Sequence, residues 1–175
     1  RSESGNPEDV IIYYDSYVPD YELIFRFKGI EHFTLENLTI STSGDYYGSQ
    51  IEISGSSENI NILGNELIST SYSNPIILIK GMTDNLLIRD NLISGSGGIS
   101  FGGDYNNYAK LDNAWISGNL ISEGGIGFDR IEAYNTHIIG NIISGDKGIR
   151  FNGNSKGTDT WIISNKISGT IDFAV

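Results

Sequence analysis

The chain contains no cysteine. That removes a disulfide framework and any thiolate metal centre. It does not fix a compartment, because many secreted domains outside the smallest size class lack disulfides. Proline is nearly absent, at 3 of 175 residues, although glycine reaches 22. High glycine without proline excludes a collagen-like helix and a proline-rich linker. Positive charge is scarce: 11 Lys+Arg stand against 22 Asp+Glu, a net charge of −11. A phosphate backbone or an anionic membrane surface is held by clustered Lys and Arg, so neither nucleic acid nor a membrane surface is expected as a partner. No apolar run approaches the roughly 18 residues of a membrane span, and no membrane insertion is expected. The two histidines, His32 and His137, fall in distant repeats, so a histidine metal site is not expected. No glycine-rich phosphate loop and no Gly-x-Ser-x-Gly elbow occurs.

What is present is a repeat. INILGNELIS (60–69), LLIRDNLIS (86–94), AWISGNLIS (114–122), THIIGNIIS (136–144) and TWIISNKIS (160–168) align on Asn65, Asn91, Asn119, Asn141 and Asn165. The earlier FTLENLTIS (33–41) is the same unit with Leu38 in the asparagine slot. A second motif follows each copy, with pairs Ile51/Ile53, Ile77/Ile79, Ile99/Phe101, Ile126/Phe128, Ile149/Phe151 and Ile171/Phe173 at alternate positions. Alternation of period two means strand, and no sustained helical stripe occurs anywhere. The same asparagine recurring every 22–28 residues means a solenoid rather than a set of hairpins. Turns stacked about 4.8 Å apart put equivalent side chains in ladders: amide on amide for asparagine, ring on ring for phenylalanine. Glycines before the asparagines (Gly64, Gly118, Gly140) and before the second strands (Gly98, Gly125, Gly148) read as corners rather than as flexibility.

These motifs resemble the right-handed parallel β-helix, or pectate-lyase-like, superfamily. RFKGIEHFTLENLTIS followed by YYGSQIEI is similar to the entry into β-helix regions of large secreted and cell-surface bacterial proteins of the Bacteroidetes type. The resemblance implies an all-β, single-stranded right-handed parallel β-helix of six to seven coils. It would form one domain over 1–175, with 1–32 as entry coil and 33–175 as regular coils. Val10–Tyr14 is expected as a strand of the first coil. The chain begins at Arg1 without a signal pattern and ends on an uncapped strand, and we read it as part of a longer chain. The superfamily holds lyases, hydrolases and non-catalytic surface modules, so it specifies the fold far better than the function.

Four groups of residues are candidates for function. Counting back from each asparagine places Trp115, His137 and Trp161 on the outward face of adjacent coils, beside Ile139 and Ile163. Such a strip is covered by another segment of the parent chain, packs on another subunit, or forms a sugar-stacking platform. The two isoleucines add area without stacking specificity, which favours protein packing. Tyrosines gather in stretches read as rim loops, 42–49, 70–75, 102–113, 129–135 and 152–159: Tyr46, Tyr47, Tyr72, Tyr105, Tyr108 and Tyr134. They suit glycan contact, or they lie flat on the wall and cover it. Glu58, Asp84 and Asp112 recur at coil spacing and would stack as carboxylates, with calcium as the natural counter-ion or with splayed, solvated side chains instead. Arg150 and Asp172 fall on neighbouring coils of the second strand's outward face, as a surface ion pair or as catalytic groups of a lyase.

Two functional expectations follow. One is a secreted or cell-surface structural or adhesive module that binds glycan or a partner protein, with self-association through open solenoid ends as a possible mode. The other is the core of a polysaccharide lyase or glycoside hydrolase acting on acidic polysaccharide, with calcium as its cofactor. The basic residues are scattered over several faces, which leans the expectation away from an enzyme.

Overall fold

The computed structural model describes residues 3–15, 24–43, 48–70, 74–102 and 108–173. They form a parallel β-solenoid of about five turns with almost no helix. The helical element among them is the short 3-10 turn Pro7–Asp9, capped by the Asn6 side chain, which accepts from the Glu8 amide. Each turn passes through three walls, and every wall is a parallel sheet.

The phenylalanine wall stacks Phe25–Lys28, Ile51–Ser54, Ile77–Lys80, Ile99–Gly102, Gly125–Asp129, Gly148–Asn152 and Ile171–Phe173. The long wall stacks Glu31–Glu36, Ser56–Leu63, Met82–Arg89 and Ala109–Ser117, then continues as the split strands Ile131–Tyr134 with His137–Ile139 and Lys156–Thr158 with Trp161–Ile163. The asparagine wall stacks Ile11–Asp15, Thr39–Ser43, Glu66–Ser69, Leu92–Ser94, Leu120–Ser122, Ile142–Ile143 and Lys166–Ile167.

Register follows the sequence alignment residue for residue. Ile51, Ile77, Ile99, Ile126, Ile149 and Ile171 form one row. Beside it Phe101, Phe128, Phe151 and Phe173 stack with centroids 4.8, 4.4 and 5.2 Å apart and rings within 18° of parallel. A rung spacing near the thickness of a ring lets each phenyl fill its layer and touch the next. Each such contact is worth about 0.5–1.5 kcal/mol beyond the area buried.

The asparagine row lies at the corner leading into its wall. Asn65, Asn91, Asn119 and Asn141 are buried. The Nδ2 of each donates to the Oδ1 of the next, Asn165 included, at 2.9–3.1 Å. Each Nδ2 also donates one turn back, to the carbonyls of Leu35, Ile62, Ile88 and Ile116, and Asn165 does the same to Ile138. The backbone N–H of each of the first four donates to the same following Oδ1 at 2.8–3.0 Å. This geometry needs one carbonyl oxygen and two N–H donors on a short stem, which is the asparagine side chain. Aspartate lacks the donors, and glutamine overreaches by a methylene.

The corner before this row has left-handed backbone throughout: Asn37, Gly64, Asp90, Gly118, Gly140 and Ser164 have φ of 54–66°. Glycine is demanded more strictly at the corner entering the phenylalanine wall. A Cβ on Gly98 would sit 2.2 Å from the Gly125 carbonyl oxygen, and one on Gly148 would sit 1.8 Å from that of Thr170. Successive turns touch backbone to backbone there, and no side chain fits between them.

Three expectations need correction. The solenoid has about five turns, against six to seven expected. Counting motif copies includes end rungs that do not close a core: Ile171 and Phe173 keep the motif yet are 50% and 60% exposed. Second, the segment after each asparagine is a wall of its own. Strands of two to five residues are too short to display alternation. Third, the stretches read as rim loops before Asn113, Asn135 and Asp159 contain, among the described residues, strands of the long wall: Ala109–Ser117, Ile131–Tyr134 and Lys156–Thr158. The cause is a row of left-handed residues inside the long wall, His32, Asn59, Asn85, Asn113, Asn135 and Asp159, with φ of 45–56°. Each bends its strand and shifts the inward–outward phase by one, so the alternation seems to stop where the strand continues.

Candidate functional site

The long wall carries the aromatic strip. Ile116, Ile138 and Ile162 point into the core, so their neighbours Trp115, His137 and Trp161 point out, paired in one row. The Trp115 and His137 rings stack at 4.1 Å and 5°. Trp115 is 45% exposed and Trp161 54% exposed. Ile163 is exposed beside Trp161, and Ile139 is half-buried beside His137. The Nδ1 of His137 is shielded from water without a hydrogen-bond partner among the described residues. Chemically the strip is a flat, rigid, mostly apolar surface with one imidazole inside it.

On the same wall, before the left-handed bend, Glu58, Asp84 and Asp112 stand in one row that begins with Glu31 and continues to Tyr134. They line a cavity of about 250 Å³ with Glu31, Thr83 and Lys110. The three carboxylates each have a donor of their own. Glu58 accepts from Asn59 Nδ2 at 3.3 Å, and Asp84 from Asn113 Nδ2 at 2.9 Å. Asp112 pairs with Lys110 at 3.3 Å. Such neighbours reduce the repulsion between stacked acids.

Among the described residues, the one set of three side chains whose potential ligand atoms lie within 4.8 Å of one another is Glu31, His32 and Glu58, all exposed. Sequence reasoning missed Glu31 and His32. The signal was present: His32 occupies the slot of Asn59, and Glu31 precedes it as Glu58 precedes Asn59.

Arg150 and Asp172 are register partners on the outward face of the phenylalanine wall. Asp172 is exposed and Arg150 half-buried. The described residues show no ion pair between them, whereas Glu52 two rungs below Ser100 on the same face bonds both Arg26 and Lys80 at 3.4 Å.

Tyr46, Tyr47, Tyr72 and Tyr105 lie outside the described residues. Tyr108 is half exposed and immediately precedes the long-wall strand Ala109–Ser117. Tyr134 belongs to the wall rather than to a loop. Its hydroxyl donates to Glu132 Oε2 at 3.1 Å, and Lys110 Nζ sits 5.3 Å from its ring centroid. Tyr134 therefore lies against the wall, sharing Lys110 with Asp112.

At the C-terminal end of the described solenoid, Phe151, Trp161, Ile162 and Phe173 line an opening of about 660 Å³. Trp161 thus joins the outward strip to the exposed last layer of the core. Searches against protein-family models, curated proteins and solved structures find no match for this chain.

Proposed function

We propose that this chain is a structural or adhesive module of the right-handed, pectate-lyase-like β-helix superfamily, acting outside the cell or at its surface. The single observation that carries the reading is the aromatic strip: exposed Trp115 and Trp161 in register with half-buried His137, on a wall whose strands at Trp115 and His137 are paired on both edges and whose strand at Trp161 is paired on one. Large aromatic side chains presented on rigid backbone bind with little ordering cost. The occupant of the strip is a glycan, a partner surface protein, or a covering segment of the parent chain. Ile139 and Ile163 extend the apolar area and favour a protein surface over a sugar.

Glycan-array and pull-down binding with the intact chain and with Trp115→Ala/Trp161→Ala tests this. Binding lost in the double variant, with the fold retained, supports the reading. Binding indifferent to both tryptophans contradicts it.

The carboxylate row favours a second reading, the core of a lyase or hydrolase acting on acidic polysaccharide. Hydrolysis needs two carboxylates about 5–10 Å apart. Lyase chemistry needs a base for the proton beside a uronate carboxylate and a cation for the enolate. Under this reading Glu58, Asp84 and Asp112 hold calcium, and Arg150 and Asp172 are the outward pair near the chemistry. Unsaturated uronate product that disappears with EDTA establishes this reading over the first. No product with or without calcium rejects the lyase.

A further inference from the structure

The outer face of the phenylalanine wall dips where Ser100 and Gly127 stand in one row between Leu78 and Arg150. The dip is a groove of about 220 Å³ lined by Pro75, Ser100, Gly127, Lys147, Arg150 and Asn152, with glycine backbone at its base. A Cβ built on Gly127 meets no atom within 4 Å, so the space above it is open. No acidic residue lines the groove. In a chain with 22 acidic and 11 basic residues, two basic residues and no acid line this groove.

Their bonding is uneven. Lys147 Nζ donates to the Ser96 carbonyl at 2.6 Å, which fixes the ammonium on the groove wall. Arg150 makes no hydrogen bond to a described residue, and its Nε is shielded from water. No ion pair joins Arg150 to any described carboxylate, Asp172 on the adjoining rung included. The charge of the guanidinium is therefore left without a counter-charge by the described fold, and an incoming anion would meet its terminal nitrogens. A guanidinium is a planar fork matched to two oxygens of one anion, and an ammonium supplies a second, less directional charge.

We propose that this groove binds the oxyanion of a small ligand, an organic carboxylate or a sulfate group, with Arg150 as the fork, Lys147 as the second cation and Ser100 and Asn152 as polar neighbours. The site lies on a different wall from the aromatic strip and stands whether or not that strip binds a partner.

The test is ¹⁵N NMR of the 175-residue chain titrated separately with sodium glucuronate, sodium sulfate and, as a neutral control, glucose. The Arg150 Nε–H signal is assigned by its loss in Arg150→Gln. The expected result is a saturable shift of that signal and of the Ser100 and Gly127 amides with at least one of the two anions, and none with glucose. Saturation by both marks a general oxyanion site, and saturation by glucuronate alone marks a carboxylate site. Losing a charge-assisted hydrogen bond weakens binding about tenfold or more, so Kd rises by that factor in Arg150→Gln, read at the Gly127 amide. Gly127→Leu fills open space, keeps the amide spectrum of the fold and weakens binding as much. Lys166→Gln, on the asparagine wall, leaves Kd unchanged. No saturable shift with either anion overturns the proposal. So does unaltered affinity in Arg150→Gln, or shifts spread evenly over the basic residues as salt rises.

Discussion

At the scale of single residues, the asparagine row is the most constrained feature. Asn119 Oδ1 accepts from both the N–H and the Nδ2 of Asn91, while its own Nδ2 serves Asn141 and the Ile88 carbonyl. Asn119→Leu strands all of these groups in a buried place, and we expect a loss of about 3 kcal/mol or more in denaturant unfolding. Asn65→Leu should cost less. Its Oδ1 serves only the Leu38 N–H, because the slot before it already holds leucine. Equal losses at the two positions would show that the side-chain ladder is not what stabilises the corner. Glycines divide just as sharply. Gly148→Ala drives a methyl into the Thr170 carbonyl, whereas Gly127→Ala enters open space. Hydrogen exchange should show Ile171–Phe173 deprotected in the first variant and unchanged in the second.

At the scale of elements, the phenylalanine wall depends on its stack. Phe128 lies between Phe101 and Phe151 and is fully buried. Phe128→Ala should destabilise by about 3–5 kcal/mol, since neighbouring rungs are hydrogen-bonded in place and cannot collapse into the void. Phe173→Ala, at the exposed end of the stack, should cost well under half of that in the same unfolding experiment. This wall was legible because its alternation is unbroken from Ile51 to Phe173. The long wall was half legible. Its second half, with Trp115, His137 and Trp161 facing out, follows from counting back from the asparagines. Its first half was misread as loop in the later turns because Asn113, Asn135 and Asp159 interrupt the period with left-handed backbone. The asparagine wall was hidden by the shortness of its strands. The site was legible to the same extent. The carboxylate row and the aromatic strip follow from periodicity. The Glu31–His32 pair and the Lys147–Arg150 groove depend on which side chains find partners, and spacing carries no information about that.

At the scale of the whole molecule, a solenoid is stabilised by contacts between neighbouring rungs, so its ends are its weakest parts. Protection from hydrogen exchange should be greatest around Ile88, Ile116 and Phe128 and fall toward Trp161 and Phe173, where the core layer is exposed. If that end is satisfied by a second copy of the chain, light scattering will show growth with concentration; a monomer at high concentration would leave another occupant. The functional surface has its own reporter, because the chain contains 2 tryptophans and both lie on the strip. Intrinsic tryptophan emission, read with acrylamide quenching during titration of glycans and candidate surface proteins, therefore reports on the strip alone. The account predicts red-shifted, readily quenched emission from the free chain, and a saturable blue shift with loss of quenching when the partner binds. Emission already shielded in the free chain, or a partner that binds tightly without changing it, would contradict the assignment of the strip as the surface this module presents.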